Sequence, residues 1–96
     1  MTIKAIVELH ARKGKREELI RALDELHEKR KNAPGFVGFS RYEVIDDPEK
    51  LIEVVEWETR EARQAWMEQN SGTGKLSRVV STINGSFNAV TVRKLI

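Results

Sequence analysis

Residues 15–58 read KREELIRALDELHEKRKNAPGFVGFSRYEVIDDPEKLIEVVEWE, and this stretch decides the fold. Leu19, Ile20, Leu23 and Leu26 recur at the three- and four-residue steps of one helical face, while Glu17 with Arg21 and Glu25 with Lys29 form favourable four-apart pairs. The spacing predicts an amphipathic helix from Lys15 through Lys31. Pro34 disfavours helical geometry at Ala33, and Gly35 supplies backbone freedom just beyond, so the helix is expected to end near Asn32. Phe36–Ile45 and Leu51–Glu58 are rich in aromatic and β-branched residues, with turn chemistry between them in Asp46-Asp47-Pro48-Glu49. They read as an antiparallel pair of strands.

Toward the N-terminus, Ile3, Ala5, Val7, Leu9 and Ala11 alternate with Lys4, Ile6, Glu8, His10 and Arg12. That period of two predicts a strand over Thr2–Arg12 with two unlike faces, broken by Lys13-Gly14-Lys15. Toward the C-terminus, Thr59 is a candidate N-cap for a short helix marked by Ala62, Ala65 and Trp66 and ending about Gln69. Asn70-Ser71-Gly72-Thr73-Gly74 interrupts it. Leu76, Val79, Val80 and Ile83 then suggest a further helical face, closed by Asn84-Gly85, and Phe87–Ile96 is expected as the last strand. The order β-α-β-β-α-α-β is that of a split βαβ, ferredoxin-like α+β fold: one four-stranded antiparallel sheet with helices on one face.

A chain of 96 residues fits a single domain spanning residues 1–96. Hydrophobic residues make up 40% and charged residues 33%, enough for a folded but thin core. An apolar sheet face left in water would weigh heavily against a net stability of roughly 5–15 kcal/mol, so self-association into a homodimer is expected. Lys and Arg number 17 against 15 Asp and Glu, and the two signs alternate along the first helix. This argues against nucleic acid as a partner, which calls for a concentrated basic face. The cationic run Glu28-Lys29-Arg30-Lys31 reads as complementing a helix C-terminus. The sequence has no cysteine, which excludes disulfides, zinc–thiolate sites, iron–sulfur clusters and thiol nucleophiles. Ile3–Leu9 is too short and too charged for a signal peptide, and no apolar run reaches membrane-spanning length, so a cytoplasmic protein without membrane association is expected.

Most polar motifs have structural explanations. Ser71-Gly72-Thr73-Gly74-Lys75-Leu76-Ser77 falls short of a phosphate-binding loop, because Gln69 stands where the first glycine belongs and Leu76 follows the lysine. The two histidines, His10 and His27, have no metal-ligand spacing, so no metal site is expected. His27 reads as solvated near the helix end. His10, on the polar face of the first strand, is a candidate for facing an interior. Glu8, Glu43, Glu53, Glu56 and Glu58 are balanced by Lys4, Arg12, Arg41, Arg93 and Lys94, a pattern that cross-strand ion pairs of about 0.2–1 kcal/mol each explain without chemistry.

Helix, Pro34-Gly35 turn, Gly35-Phe36-Val37-Gly38-Phe39, the Asp46-Asp47-Pro48 connection and the closing Glu56-Trp57 together resemble the antibiotic biosynthesis monooxygenase-like domain over nearly the whole chain. The resemblance implies a dimeric α+β barrel with a ligand cavity between helices and sheet in each subunit. It also implies a small oxygenase that works without cofactor on a planar aromatic or quinol-type metabolite: deprotonation of an electron-rich aromatic, then reaction of the carbanion with oxygen. The alternative is a non-catalytic small-ligand or stress-response barrel. Trp57 matches the aromatic that closes the third strand, and Trp66 matches a cavity-lining tryptophan of the heme-degrading branch. That branch also requires a strand-one asparagine and a later helical histidine, where this chain has Val7 and Lys75 or Leu76, so heme is not supported. The implied pocket wall is Val7, Phe39, Trp66, Leu76, Val80 and Ile83. Candidate polar or catalytic groups are His10, Tyr42, Asn70 and Asn88, with Ser40 a further hydrogen-bonding group.

Overall fold

The computed structural model describes residues 1–70, 74–85 and 87–96, excluding the side chain of Lys75. Ser71-Gly72-Thr73, at the centre of the expected break and at the start of the phosphate-loop likeness, fall outside the described residues. Strand β1 (Ile3–His10) leads into α1 (Arg16–Arg30), followed by the hairpin of β2 (Phe36–Val44) and β3 (Asp47–Trp57). Helices α2 (Arg60–Asn70) and α3 (Gly74–Thr82) precede the final strand, β4 (Asn88–Val92). The sheet order is β2-β3-β1-β4, antiparallel throughout, with helices on one face. This is the ferredoxin-like α+β arrangement.

Alternation along the strands decides which face the helices cover. In β3, Leu51, Glu53, Val55 and Trp57 are buried, while Lys50, Ile52, Val54 and Glu56 between them are only partly so. In β1, Ile3, Ala5 and Leu9 are buried on that same inner side, and the registers Ala5 to Val55 and Leu9 to Leu51 place them together. Onto this layer α1 lays Leu19, Ala22, Leu23 and Leu26, all buried, and Trp66 of α2 and Val79 of α3 complete the core. Trp57 packs edge-on against Phe36 with centroids 5.9 Å apart, and lies 6.1 Å from the Trp66 ring.

Two local devices fix the helical layer. The Thr59 hydroxyl accepts from the Ala62 N–H at 3.0 Å, so it caps α2 as expected. Gly35 has φ +86°, and its carbonyl accepts from the Glu58 N–H at 2.8 Å. A Cβ at Gly35 would stand 2.5 Å from the Ala62 Cβ, so both the left-handed backbone and the close approach of α2 require glycine here.

The edges differ from expectation in two places. β3 begins at Asp47 rather than Leu51, because Val44 pairs with Asp47 and His10 with Lys50, leaving only Ile45 and Asp46 as the loop. Pro48 is tolerated near the start of a strand, where a missing donor does the ladder least harm. β4 ends at Val92, with 93–96 outside any element, and all five of its residues are exposed. Phe87 precedes the strand and packs inward. Beyond α3, Arg12 N–H donates to Thr82 O at 2.9 Å and Asn84 N–H to His10 O at 2.7 Å, tying the helix to the end of β1.

Candidate active site

A hollow lies between the sheet and its helical cover. Its sheet side is Ala5, Val7 and Leu9 of β1 with Glu53, Val55 and Trp57 of β3. Leu23, Leu26 and Arg30 of α1, Arg63, Trp66 and Met67 of α2, Leu76 and Val79 of α3, and Phe87 close it. The lining is aliphatic and aromatic apart from Arg30, Glu53 and Arg63. Its volume is about 60 Å³, small beside the roughly 300–1,000 Å³ of typical ligand pockets. Next to it, between α2 and β4, a cleft of about 260 Å³ is lined by Arg60, Arg63, Gln64, Met67 and Thr91. Arg63 and Met67 belong to both, so two long, adaptable side chains stand between the hollow and the cleft.

The polar end of the hollow is built by α1, β2 and β3. Leu19, Leu23, Leu26 and Arg30 form one stripe of α1, and that spacing carries Arg30 inward, where it is 5% exposed. Glu53 sits between Leu51 and Val55 on the inner face of β3 and is 3% exposed. Glu53 accepts a hydrogen bond from Arg41 Nε at 2.9 Å, and its other oxygen lies 3.8 Å from Arg30 Nη2. Arg41 in turn donates to Asp24 at 2.7 Å. Buried charge is tolerated only when compensated in this way. Burial lowers the Arg30 pKa, opposed by Glu53 and reinforced by Arg41; for Arg41 the bonds to Asp24 and Glu53 outweigh burial and raise it.

Phe39 is packed between these cations, with the Arg30 guanidinium 4.9 Å and that of Arg41 5.3 Å from its ring centroid. His27 stacks on the same ring at 4.1 Å, and its Nδ1 lies 3.3 Å from Arg30 Nη2. An arginine only donates, so that nitrogen accepts and the imidazole is neutral. Burial, then the charges of Arg30 and Arg41, hold His27 below its ordinary pKa. His27, partly exposed, thus packs on the edge of this seam as well as standing near the helix end.

Of the pocket wall expected from sequence, Val7, Trp66 and Leu76 meet in the hollow. Phe39 does not line it but backs Arg30. Ile83 is buried beyond α3, bridged to Ala11. Val80 is a correction: Leu76, Val79 and Ile83 form the inward stripe, and one residue past Val79 turns Val80 about 100° away, where it is half exposed. The polar candidates also lie elsewhere. His10 is exposed on the outer face of β1, 3.8 Å from Asp47, and Tyr42, Ser40 and Asn88 are exposed on the side of the sheet away from the helices. Asn70 is buried, but its amide donates to Trp66 O at 2.8 Å and it borders a groove with Ala33 and Pro34.

Sequence reasoning missed Arg30, Glu53 and Arg63 as lining residues. Position was the available signal: Arg30 continues the leucine stripe, Glu53 keeps the inward period of β3, and Arg63 precedes Trp66 by three on one face of α2. Among the described residues no group of three or more His, Asp or Glu is arranged to hold a metal ion. A heme iron would meet aliphatic Val7 and Leu76 in the hollow, with His10 on the opposite sheet face and His27 committed to Arg30, so these residues do not fit that group. No helix among the described residues is long and apolar enough to cross a membrane.

The family model described as antibiotic biosynthesis monooxygenase matches residues 2–71. None of the curated proteins matches the sequence. Among solved structures, a conserved protein from Methanosarcina mazei Go1 superposes with a TM-score of 0.88 at 15% identity, covering 98% of this chain and 93% of its own. Rv0793 from Mycobacterium tuberculosis gives a TM-score of 0.87 at 16% identity, with coverage of 100% and 97%. SnoaB from Streptomyces nogalater, described as a cofactor-independent oxygenase, gives 0.88 at 9% identity, with coverage of 99% and 94%. Likeness at these identities establishes the fold.

Proposed function

Because the chain belongs to the antibiotic biosynthesis monooxygenase family, we propose that it is a small oxygenase acting without metal or flavin on a planar aromatic or quinol-type metabolite. The observation that carries this reading is the apolar hollow walled by Trp57, Trp66 and Phe87, with the desolvated Arg30–Glu53 pair at one end. The description of SnoaB as a cofactor-independent oxygenase supports it.

In this reading the rings lie against the tryptophans, and an electron-rich substrate loses a proton from its activated carbon. Negative charge then develops on the adjoining ring oxygen. Arg30, held in a low-dielectric site, stabilises that oxyanion far more than water would. Glu53 has its oxygens committed to Arg41 and Arg30, which makes it a positioning residue and not the base. The proton passes to water at the cleft. The carbanion adds to dioxygen, the peroxide anion takes back a proton from water, and the hydroperoxide loses water to leave a carbonyl, so that CH2 and O2 become C=O and H2O. The chain's contribution is therefore orientation and electrostatics.

Oxygen uptake is the test. Hydroxylated anthrones, quinols and catechols should include a substrate consumed with one O2 per turnover; a broad screen with neither uptake nor binding would remove the enzyme reading. The narrowness of the hollow favours a second reading, a non-catalytic small-ligand barrel. Binding of such compounds without oxygen uptake would select it.

We further propose that the functional unit is a homodimer. Ile6, Ile52, Val54, Tyr42, Val90 and Val92 lie on the sheet face that no helix among the described residues covers, and Val90 is 58% and Tyr42 54% exposed. Pairing of two such faces removes this apolar surface from water. Light scattering on the eluting protein should return the dimer mass, and a stable monomer would contradict the pairing.

A further inference from the structure

Most arginines elsewhere in the fold have conspicuous partners; Arg21, exposed on α1, meets solvent instead. Arg16 meets Glu17 and Glu43, Arg41 meets Asp24 and Glu53, Arg78 meets Glu25, Arg30 lies beside Glu53, and Arg12 donates to the Ile83 carbonyl. Arg60, Arg63 and Arg93 meet no carboxylate among the described residues, and they gather around Thr91 at the junction of α2 and β4. Arg60, Arg63 and Thr91 line the cleft beside the hollow, while Arg60, Thr91 and Arg93 line the adjoining groove. Arg63 is half-buried and reaches the hollow itself. Desolvation lowers its pKa with no acid to offset it. Desolvating a cation without a counter-charge is unfavourable, and a ligand carrying the missing negative charge would relieve it.

We propose that this cationic mouth selects substrates by an anionic substituent: the ligand places its rings in the hollow and a carboxylate on Arg63, flanked by Arg60. This rests on the oxygenase reading and narrows its substrate class to aromatic or quinol-type carboxylates. A guanidinium fork matches the two oxygens of a carboxylate and can hold it bidentately. Thr91 adds a hydroxyl donor on the β4 side. Arg63 and Met67 separate cleft and hollow, so a ligand that draws Arg63 outward also joins the two spaces, which together come to the lower end of the range for ligand pockets.

The test compares 4,5-dihydroxyanthraquinone-2-carboxylate with its uncharged 2-hydroxymethyl analogue by isothermal titration calorimetry on the full chain, beside oxygen uptake with the corresponding anthrones. The carboxylate should bind about tenfold more tightly, the increment of one charge-assisted hydrogen-bonded pair. Arg63→Gln should reduce that ratio to about twofold. Arg21→Gln, on the exposed side of α1 and of equal charge change, should leave the ratio intact. Equal affinity for the two compounds, or a ratio unmoved in Arg63→Gln, overturns the proposal. If both anthrones are nevertheless oxidised, the oxygenase reading survives that failure; if neither compound binds and neither anthrone is oxidised, both fall.

Discussion

The two ends of the hollow handle arginine in opposite ways. At the α1–β2–β3 end, Arg30 and Arg41 are locked to Glu53 and Asp24 and flank Phe39. At the α2–β4 end, Arg60 and Arg63 face a cleft and Arg93 the adjoining groove, with no acid opposite them among the described residues. Compensated charge in a closed interior serves the fold, whereas uncompensated charge at an opening serves recognition. The first set should therefore govern stability, with Arg30 alone of that set also facing the ligand, and the second ligand choice.

The strongest way to break this division is at Glu53. Glu53→Gln leaves Arg30 buried without its counter-charge and should destabilise the chain by about 3–5 kcal/mol in urea titration. The double change of Arg30→Met with Glu53→Leu should recover part of that loss, because an apolar pair replaces Arg30 and Glu53 while Arg41 keeps Asp24. No loss in the single variant would show that the seam is not structural.

Gly35→Ala should come next, at about 2–3 kcal/mol, since alanine must adopt a positive φ and push α2 away at Ala62. Thermal unfolding would register it, and an unchanged midpoint would contradict the packing of α2 against the turn. Arg63→Gln, by contrast, should move stability by less than about 0.5 kcal/mol or raise it slightly, because it removes a desolvated cation that has no partner. A loss comparable to that of Glu53→Gln would erase the difference between the two ends.

The smallest effect expected is a pH dependence from His27. Its pKa in the folded chain lies below the ordinary value of 6.5, so between that lowered value and 6.5 the unfolded chain binds more protons than the folded one. Stability should rise with pH across this interval and fall on acidification through it. His27→Gln should remove that segment of slope; an unchanged pH profile would separate His27 from the seam.

Much of this architecture is readable in the residues themselves. The leucine stripe of α1, the Pro34-Gly35 stop, the period of two in β1 and the Thr59 cap correspond to observed elements because each has a local physical cause. The site is less legible. Charged residues usually signal solvent, so Arg30 and Glu53 read as surface until their positions in the apolar periods are taken literally. Conversely Val80 reads as core by its type, while the step from Leu76 to Val79 to Ile83 turns it outward. The strand ends depend on cross-strand register, as at Asp47 and Val92, and register is a property of two segments that neither encodes alone. The division between paired and unpaired arginines is likewise visible only once distant segments are brought together.

A crystal structure of the chain with 4,5-dihydroxyanthraquinone-2-carboxylate tests the central claim most directly. The account predicts ring density between Trp57, Trp66 and Phe87, the carboxylate against Arg63, and Arg30 still beside Glu53. Rings seated only on the outer sheet face, with Arg63 and Met67 still between hollow and cleft as in the free chain, would contradict it.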